Sequence, residues 1–231
     1  MLTKQPINSV NGVLDYLGDT GDEFYSDLER IATEERDGTK GRDNIRLELD
    51  VLRNFLEIGL PFMFDSPHNA IDVGGGHGYL LNSIDQDEKV VCDASLVKLS
   101  QAADPVVKIR CNVEDLPVET SFFDLAICVD VFEHVKNESD LSKELGRIVK
   151  PGGFLFLSVP WKQNLSVLKS KEYLDKYGSY ISGHRRSVDE EMIDGCFSDD
   201  FEIVSQTSVD IVRRFMEFEP YSIEVFIMRK R

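Results

Sequence analysis

From about residue 68 to the C-terminus, short apolar runs alternate with stretches whose apolar residues recur at helical spacing. The apolar runs predict strands over residues 70–73, 89–92, 106–111, 122–129, 154–159, 201–209 and 223–228. The periodic stretches predict helices over residues 79–84, 95–102, 139–149 and 188–197. Strands that are apolar on both faces and alternate with helices are typical of a mainly parallel sheet covered on both sides. The last two strands lack an intervening helix, which predicts an antiparallel pair at the sheet edge. The fold class is α/β, a Rossmann-like doubly wound sheet.

The first 65 residues have a different pattern. Residues 23–35 and 44–58 place apolar side chains at helical spacing, and a glycine-rich link over residues 37–41 separates them. Gly59 and Pro61 are expected to end the second helix. We interpret residues 1–65 as an N-terminal helical cap and residues 66–231 as the main part of the same domain, with a lid-like insertion at about 161–183.

Composition narrows the class of partner. The chain has 231 residues, of which 42% are hydrophobic and 29% charged, as in ordinary globular proteins. Its 26 Lys and Arg against 42 Asp and Glu give a net charge of −16, which repels phosphate backbones and argues against a nucleic-acid partner. The absence of a long apolar run, a signal peptide or paired cysteines predicts a cytoplasmic protein without a membrane partner. Monomer and homodimer both remain open.

A glycine turn over residues 70–80 is the most informative stretch. An apolar strand enters the pattern D-x-G-x-G-x-G, which begins at Asp72, and a helix follows. Tyr79 occupies the place of the third glycine of the dinucleotide pattern, which counts against a nicotinamide cofactor. An acidic group at position 72 suits a ligand with an ammonium group better than a pyrophosphate. Asp93 ends the next strand, 21 residues after Asp72, where it can bind ribose hydroxyls. The alternative is that Asp93 is a solvated loop residue or caps the helix that opens at Ser95.

This turn resembles the first motif of the class I S-adenosylmethionine-dependent methyltransferases. Four later segments are similar to further motifs of that family, in the same order: residues 111–117, 121–125, 145–153 and 183–187. The resemblance covers about residues 68–231. It implies S-adenosylmethionine as the cofactor and S-adenosylhomocysteine as the product.

The resemblance also implies which residues bind the cofactor. The expected set is Asp72, Gly74, Gly76, Gly78, Asp93, Asn112 and Val113. The glycine turn would receive the methionine ammonium, and Asp93 would hold the ribose. Asn112 stands where the family often has an Asp facing the adenine amino group, and its carbonyl oxygen can still accept that hydrogen bond. Pro151-Gly152-Gly153 is interpreted as a turn only.

The acceptor is expected beyond the carboxyl ends of the fourth and fifth strands, where Asp130 and Trp161 stand. If residues 130–134 are helical, Asp130, Glu133 and His134 share a face. We name His134 and His184 as candidate general bases and predict no metal. Two alternatives stay open. One is a divalent cation held by Asp130, Glu133, His134 and His184, as in some members of the family. The other is a purely structural role for these residues.

Residues 161–187 allow more than one interpretation. The insertion at 161–183 is either a lid over the crevice or part of the packed core. Arg185 is a candidate for binding a carboxylate or phosphate on the acceptor. Ser187 and Glu190 have the spacing of a capping box, which predicts that the last helix begins there. His77 is expected to shield the cofactor.

Together these patterns predict a methyltransferase that acts on a small-molecule acceptor, with O-methylation favoured. The alternative is a non-catalytic module that binds S-adenosylmethionine or S-adenosylhomocysteine as a sensor or partner subunit.

Overall fold

The computed structural model describes residues 1–19, 42–63, 69–85, 87–103, 106–173, 183–211 and 221–231, together with positions 25, 26, 29, 30 and 33. The strands are β1 (Asn8–Val10), β2 (Val13–Asp15), β3 (Ala70–Val73), β4 (Lys89–Asp93), β5 (Val107–Arg110), β6 (Phe123–Val129), β7 (Val149–Pro160), β8 (Phe201–Ile211) and β9 (Tyr221–Lys230). The helices are α1 (Arg42–Met63), α2 (Tyr79–Asn82), α3 (Leu96–Ser100), α4 (Glu138–Ile148), α5 (Leu165–Leu168) and α6 (Glu190–Phe197).

All of these strands belong to one sheet, in the order β1-β2-β5-β4-β3-β6-β7-β9-β8. The run from β2 to β7 is parallel, and β9 pairs antiparallel with both β7 and β8. Strand order reverses beside β3, so the crevice at the carboxyl ends of β3 and β6 is the ligand position expected of an open α/β sheet. The predicted fold class and the antiparallel edge are confirmed.

The two faces of the sheet bury separate apolar clusters. Because successive side chains of a strand point to opposite faces, Ala126 and Cys128 belong to one cluster while Leu125 and Ile127 belong to the other. Leucines of α4 with Ile193 and Phe197 of α6 cover the first face, and leucines of α1, α2 and α3 cover the second. This packing holds the ends of β3, β4 and β6 in a fixed relation.

The N-terminal region is not wholly helical, so that part of the prediction was wrong. Residues 8–15 form the hairpin β1–β2, and β2 extends the sheet beside β5. The turn contains Asn11 and Gly12, both with positive φ, as expected for a tight hairpin. The Asn-Gly pair that favours such a turn is present in the sequence. The two strands beside it have only three residues each and polar neighbours, so no apolar pattern predicts them. The described positions between 23 and 35 are helical, and the link over residues 37–41 lies outside the described residues.

Two predicted helix boundaries were also wrong. α1 continues through Gly59 and Pro61 to Met63. A proline this close to the end of a helix removes one hydrogen bond without stopping the last turn. α6 is capped by Asp189, whose side chain accepts from the Met192 N–H, and not by Ser187. The chain at Val188 is instead held by a bridge to Trp161, which delays the helix.

Only part of the insertion at 161–183 belongs to the described residues. It contains the short helix α5, and Tyr173 is buried with 1% of its surface exposed. Residues 174–182 lie outside the described residues, so the lid stays a prediction. In the part of the chain that the structure describes, no helix is long and apolar enough to cross a membrane.

Candidate active site

The glycine turn connects β3 to α2 through backbone that ordinary residues rarely adopt. Gly74, Gly76 and Gly78 have φ angles of +76°, +52° and +66°. The Gly74 N–H donates to the Cys92 carbonyl at 2.8 Å, and the Gly78 N–H donates to the Gly75 carbonyl at 2.8 Å. The turn is therefore attached to β4 and closed on itself, with bare backbone at the mouth of the crevice.

Two glycines of this turn also leave no room for a side chain. A Cβ at Gly74 would lie 2.2 Å from Cγ2 of Val131, and a Cβ at Gly75 would lie 2.2 Å from Cγ of Asp72. Gly74 thus allows the turn after β6 to pack directly on the turn after β3. This contact fixes the acceptor side of the crevice against the cofactor side.

Asp93 is bound to the same turn. Its Oδ2 accepts from the Gly76 N–H at 3.0 Å, and its Oδ1 accepts from the Ser95 N–H at 2.7 Å. Burial raises the pKa of Asp93, and the Lys98 ammonium with these two N–H groups opposes that rise. The helix cap is the Ser95 side chain, which accepts from the Lys98 N–H at 3.2 Å. Asp93 is therefore neither a solvated loop residue nor the side-chain cap of α3, and its carboxylate keeps lone pairs for a ligand.

Asp72 is buried beneath the turn with 3% of its surface exposed. Burial, and then the negative charge of Asp93, raises its pKa to about 7. A carboxyl with this pKa is only partly ionised at neutral pH, and a positive charge beside it would favour the ionised form. The ammonium group of a bound amino acid would supply that charge.

The loop after β5 carries the two residues that are expected to face adenine. Asn112 Oδ1 accepts from the Glu114 N–H at 3.0 Å, and the Asn112 carbonyl accepts from the Asp115 N–H at 3.1 Å. One lone pair of the Asn112 amide oxygen is therefore already used within the loop. The half-buried Val113 belongs to the same turn. The roles of Asn112 and Val113 toward adenine stay predictions.

The segment after β6 is a turn and not the helix considered from the sequence. Asp130 has a φ of +52°, its N–H donates to the Ser158 carbonyl at 3.2 Å, and the His134 N–H donates to the Val131 carbonyl at 2.9 Å. Asp130 is not among the residues whose ligand atoms converge. The helical spacing considered for the four-residue metal set is therefore not the geometry of this segment, and the metal alternative stays a prediction.

Three of those four residues do converge. The ligand atoms of Glu133, His134 and His184 all lie within 4.8 Å of one another. Glu133 Oε1 is 3.9 Å from Nε2 of His134 and 3.8 Å from Nε2 of His184. The two imidazoles meet edge to face, with ring centroids 4.7 Å apart.

The protonation of this cluster follows from its burial. Burial, more strongly than any neighbouring charge, lowers the pKa of His134 to about 4. Burial and the charge of Asp130 raise the pKa of Glu133 well above its usual range. His184 Nδ1 lies 2.6 Å from the Gln163 amide oxygen, which only accepts, so Nδ1 carries the proton and Nε2 faces Glu133. His134 is therefore a neutral imidazole at neutral pH, and burial favours the protonated form of Glu133.

The remaining predicted residues have mixed placements. The Trp161 ring packs against Phe226, with centroids 5.9 Å apart, which gives it a packing role beside the expected acceptor contact. Arg185 is exposed, and its N–H donates to the Glu133 carbonyl at 2.8 Å, which places it at the rim of the cluster. Arg186 is tied to the Phe132 carbonyl at 2.7 Å and to Glu138 at 3.1 Å, so it is a structural residue.

Sequence reasoning missed Val131, Gln163, Glu29 and Arg110, which contact or orient the predicted site residues. Gln163 and Val131 meet their partners only through packing of distant segments, and no local pattern indicates this. Arg110 gave a weak signal as a charged residue near the end of the predicted strand 106–111.

Comparison with known proteins identifies the family of the chain. A family model described as a methyltransferase domain matches residues 44–206. A ubiquinone biosynthesis O-methyltransferase of Xanthomonas oryzae pv. oryzae is 34% identical over 100 residues, covering 38% of this chain and 41% of that protein. An uncharacterized protein of Methanocaldococcus jannaschii is 33% identical over 96 residues, covering 42% of each chain. The chain thus matches about two fifths of the length of these curated relatives.

Solved structures show the same fold at low identity. The geranyl diphosphate C-methyltransferase of Streptomyces coelicolor A3(2), solved with Mg²⁺, geranyl diphosphate and S-adenosyl-L-homocysteine, has a TM-score of 0.67 at 13% identity. That likeness covers 92% of this chain and all of the other. The N-methyltransferase NodS of Bradyrhizobium japonicum WM9, in complex with S-adenosyl-L-homocysteine, has a TM-score of 0.63 at 13% identity and covers 90% and 99% of the two chains.

Proposed function

The chain belongs to the methyltransferase domain family, within the class I S-adenosylmethionine-dependent methyltransferases, and on this premise we propose that it methylates a small-molecule acceptor, with oxygen as the favoured acceptor atom. The family match over residues 44–206 confirms the predicted family, and it supports S-adenosylmethionine as the cofactor. The identity of the acceptor and the residues that act on it belong to the proposal.

The observation that carries the proposal is the juxtaposition of two differently built turns at one crevice. On one side the glycine turn joins Asp93 through the 3.0 Å bond from the Gly76 N–H. On the other side stands the cluster of Glu133, His134 and His184, whose ligand atoms lie within 4.8 Å of one another. The contact of Val131 with Gly74 holds the two sides together. Donor and acceptor subsites are thus adjacent in one rigid frame.

The reaction is an in-line displacement. An acceptor oxygen forms a bond to the sulfonium methyl carbon, the carbon–sulfur bond breaks, and its electron pair leaves with sulfur as S-adenosylhomocysteine. The acceptor proton passes to a neutral imidazole. Orientation of the two reactants in such a crevice supplies on the order of 7–11 kcal/mol in favourable cases, and the general base adds about 10²–10⁴-fold.

His134 and His184 are the bases that we propose. Burial favours the neutral, proton-accepting form of His134 by lowering its pKa to about 4, and the Gln163 oxygen holds a proton on Nδ1 of His184, which directs Nε2 toward Glu133. The imidazolium formed during turnover would face Glu133 Oε1, whose lone pairs can share its N–H proton. Glu133 thus offers an acceptor for the charge that appears only during the reaction.

A divalent cation is the alternative occupant of this cluster. The three residues fit such an ion in part, since both Glu133 carboxylate oxygens are buried without a hydrogen-bond partner and His184 Nε2 points toward them. Such an ion, when bound, would lower the pKa of an acceptor hydroxyl. Asp130 is not part of the converging set.

Calorimetric titration with S-adenosylmethionine, S-adenosylhomocysteine and NAD tests the cofactor. We expect the two sulfur nucleosides to bind at micromolar concentration and NAD not to bind. Gly76→Val should abolish this binding, since Gly76 has a φ of +52° and its N–H contacts Asp93. Wild-type affinity in that variant would contradict the assigned cofactor site.

Transfer of a labelled methyl group to a panel of phenols and other hydroxyl compounds tests the acceptor side. His134→Ala and His184→Ala should lower turnover about 10²–10⁴-fold while the cofactor still binds. A fall with added chelator in the wild type, restored by one divalent metal, would favour the cation. Cofactor binding without transfer to any amine, thiol, carbon or hydroxyl acceptor would favour a non-catalytic binding module.

A further inference from the structure

The N-terminal segment reaches the cofactor side of the crevice through Glu29. Its carboxylate accepts from the Ser95 hydroxyl at 2.9 Å, from the Leu96 N–H and from the Val97 N–H at 3.3 Å. These donors belong to the stretch that directly follows Asp93. The Ser95 N–H, in turn, is one of the two groups that hold the Asp93 carboxylate.

Arg110 secures the same stretch from the neighbouring strand. Its Nε donates to the Ala94 carbonyl at 3.0 Å and lies 3.8 Å from Glu29 Oε1. Its Nη1 donates to the Gly18 carbonyl at 3.0 Å and to Asp15 Oδ2 at 3.3 Å. The Arg110 side chain is 13% exposed and that of Asp15 is 8% exposed, so solvent screens this pair weakly.

We propose that Asp15, Glu29 and Arg110 form an N-terminal clamp that positions residues 93–97 to bind the adenosine half of the cofactor, so that the N-terminal segment sets cofactor affinity. Asp15 and Glu29 precede residue 44, where the family match begins, so the match says nothing of the clamp. This inference rests on the proposed function.

The clamp acts through Asp93 and not on the ligand itself. Asp93 and Arg110 are register partners on adjacent parallel strands, so displacement of one strand end moves the other. Without the Glu29 carboxylate, two N–H groups at the start of α3 and the Ser95 hydroxyl lose their acceptor. The loop that orients Asp93 would then sample other conformations, and the fraction of molecules ready to bind would fall. Linkage makes this reciprocal, so a bound ligand should also hold Glu29 in place.

Two ligands separate this effect from general damage. S-Adenosylhomocysteine has both an adenosine half and an amino-acid half, whereas 5′-methylthioadenosine has only the adenosine half. We expect Glu29→Ala to weaken both ligands by the same factor of about tenfold, measured by calorimetry. Glu29→Gln keeps an acceptor oxygen and should recover part of this loss. Asp15→Asn should weaken both ligands about threefold.

Matched variants identify each outcome. Glu190, at the start of α6, has an exposed carboxylate that pairs with Lys162. Glu190→Gln removes this charge and should leave both affinities unchanged. Asp72→Asn should weaken S-adenosylhomocysteine and spare 5′-methylthioadenosine, because Asp72 faces the ammonium. Thermal unfolding of each variant confirms that binding is measured on folded protein.

Wild-type affinity for both ligands in folded Glu29→Ala, or a loss confined to S-adenosylhomocysteine, would overturn the clamp and leave the proposed function standing. A wild-type protein that binds neither ligand would instead overturn the proposed function, and the clamp with it. If Glu29→Ala does not fold, the equal weakening expected in Asp15→Asn and its absence in Glu190→Gln decide the matter.

Discussion

The two sides of the crevice differ in how completely their polar groups are bonded. On the cofactor side, both Asp93 oxygens accept from backbone N–H groups. On the acceptor side, Glu133 is 1% exposed, and neither of its oxygens nor Nε2 of Gln163 has a hydrogen-bond partner among the described residues. A buried polar group without a partner costs about 1–3 kcal/mol. Both Asp93 oxygens on the cofactor side are therefore held before a ligand arrives, whereas the acceptor side has polar atoms without partners that a substrate, a shared proton or an ion can use.

The largest expected change in affinity tests whether the glycine turn on the cofactor side is preformed. Gly75→Ala places a Cβ 2.2 Å from Cγ of Asp72, and rigid packing leaves the buried carboxyl no space to move. We expect S-adenosylhomocysteine affinity to fall about 100-fold by calorimetry.

Gly195→Ala in α6 is the matched control for that substitution. Its added Cβ would meet nothing within 4 Å. It should leave binding unchanged and raise the melting temperature slightly, because alanine loses less entropy than glycine on folding. Equal binding by the two alanine variants would show that the turn adapts and is not preformed.

Much of the fold was predictable because its elements are local. Strands β3 and β6 and helix α4 each combine an apolar run or periodic face with adjacent turn residues, and the structure places them within one residue of the predicted bounds. The hairpin β1–β2 was missed because β2 gains stability from pairing with β5, which a local pattern does not reveal.

The site divides in the same way. Gly74, Gly76 and Asp93 lie in one βαβ unit. Their spacing in the sequence is therefore enough to predict that they lie close together in the structure. His134, His184 and Gln163 come from three segments that meet only through tertiary packing. The pairing of His184 with Gln163 at 2.6 Å therefore had no counterpart in the sequence pattern.

A second prediction concerns the charge of Asp72. Its pKa of about 7 in the folded protein lies above that of the unfolded chain, which loses the proton first as pH rises. Stability should therefore fall between about pH 4 and pH 7, by about 4 kcal/mol in total. Asp72→Asn removes this loss, so the ligand-free variant should be more stable than wild type at pH 8 in urea unfolding.

The same substitution should weaken binding. S-Adenosylhomocysteine affinity is expected to drop about tenfold, because the amide offers no charge to the ammonium. Asp87→Asn, in the exposed turn before β4, makes the same charge change and should alter neither quantity. A destabilised Asp72→Asn variant at pH 8 would mean that Asp72 carries no buried charge there.

A third prediction concerns His134, for which the sign is reversed. Its pKa of about 4 lies below that of the unfolded chain, so the unfolded chain takes up a proton first as pH falls. Stability should fall from about pH 6.5 to pH 4, by about 3 kcal/mol. Because Asp72 contributes with opposite sign in this range, the measurement belongs in the Asp72→Asn background. There His134→Asn should flatten the slope, and the same change at the exposed His77 should not.

The smallest expected stability change tests the acceptor side most directly. Glu133→Gln keeps the shape of the side chain and removes an ionisable group whose pKa burial raises well above its usual range. Since the unfolded chain ionises Glu133 first, wild-type stability falls as pH rises, and the variant should be about 1–2 kcal/mol more stable near neutral pH. Glu202→Gln on exposed β8 is the control and should leave stability unchanged.

If Glu133 also accepts charge during methyl transfer, the more stable variant should be the slower enzyme, with unchanged cofactor affinity. A gain in stability with full turnover would instead mean that Glu133 only fills space, and the contrast between a cofactor side whose Asp93 oxygens are held and a receptive acceptor side would rest on the histidines alone.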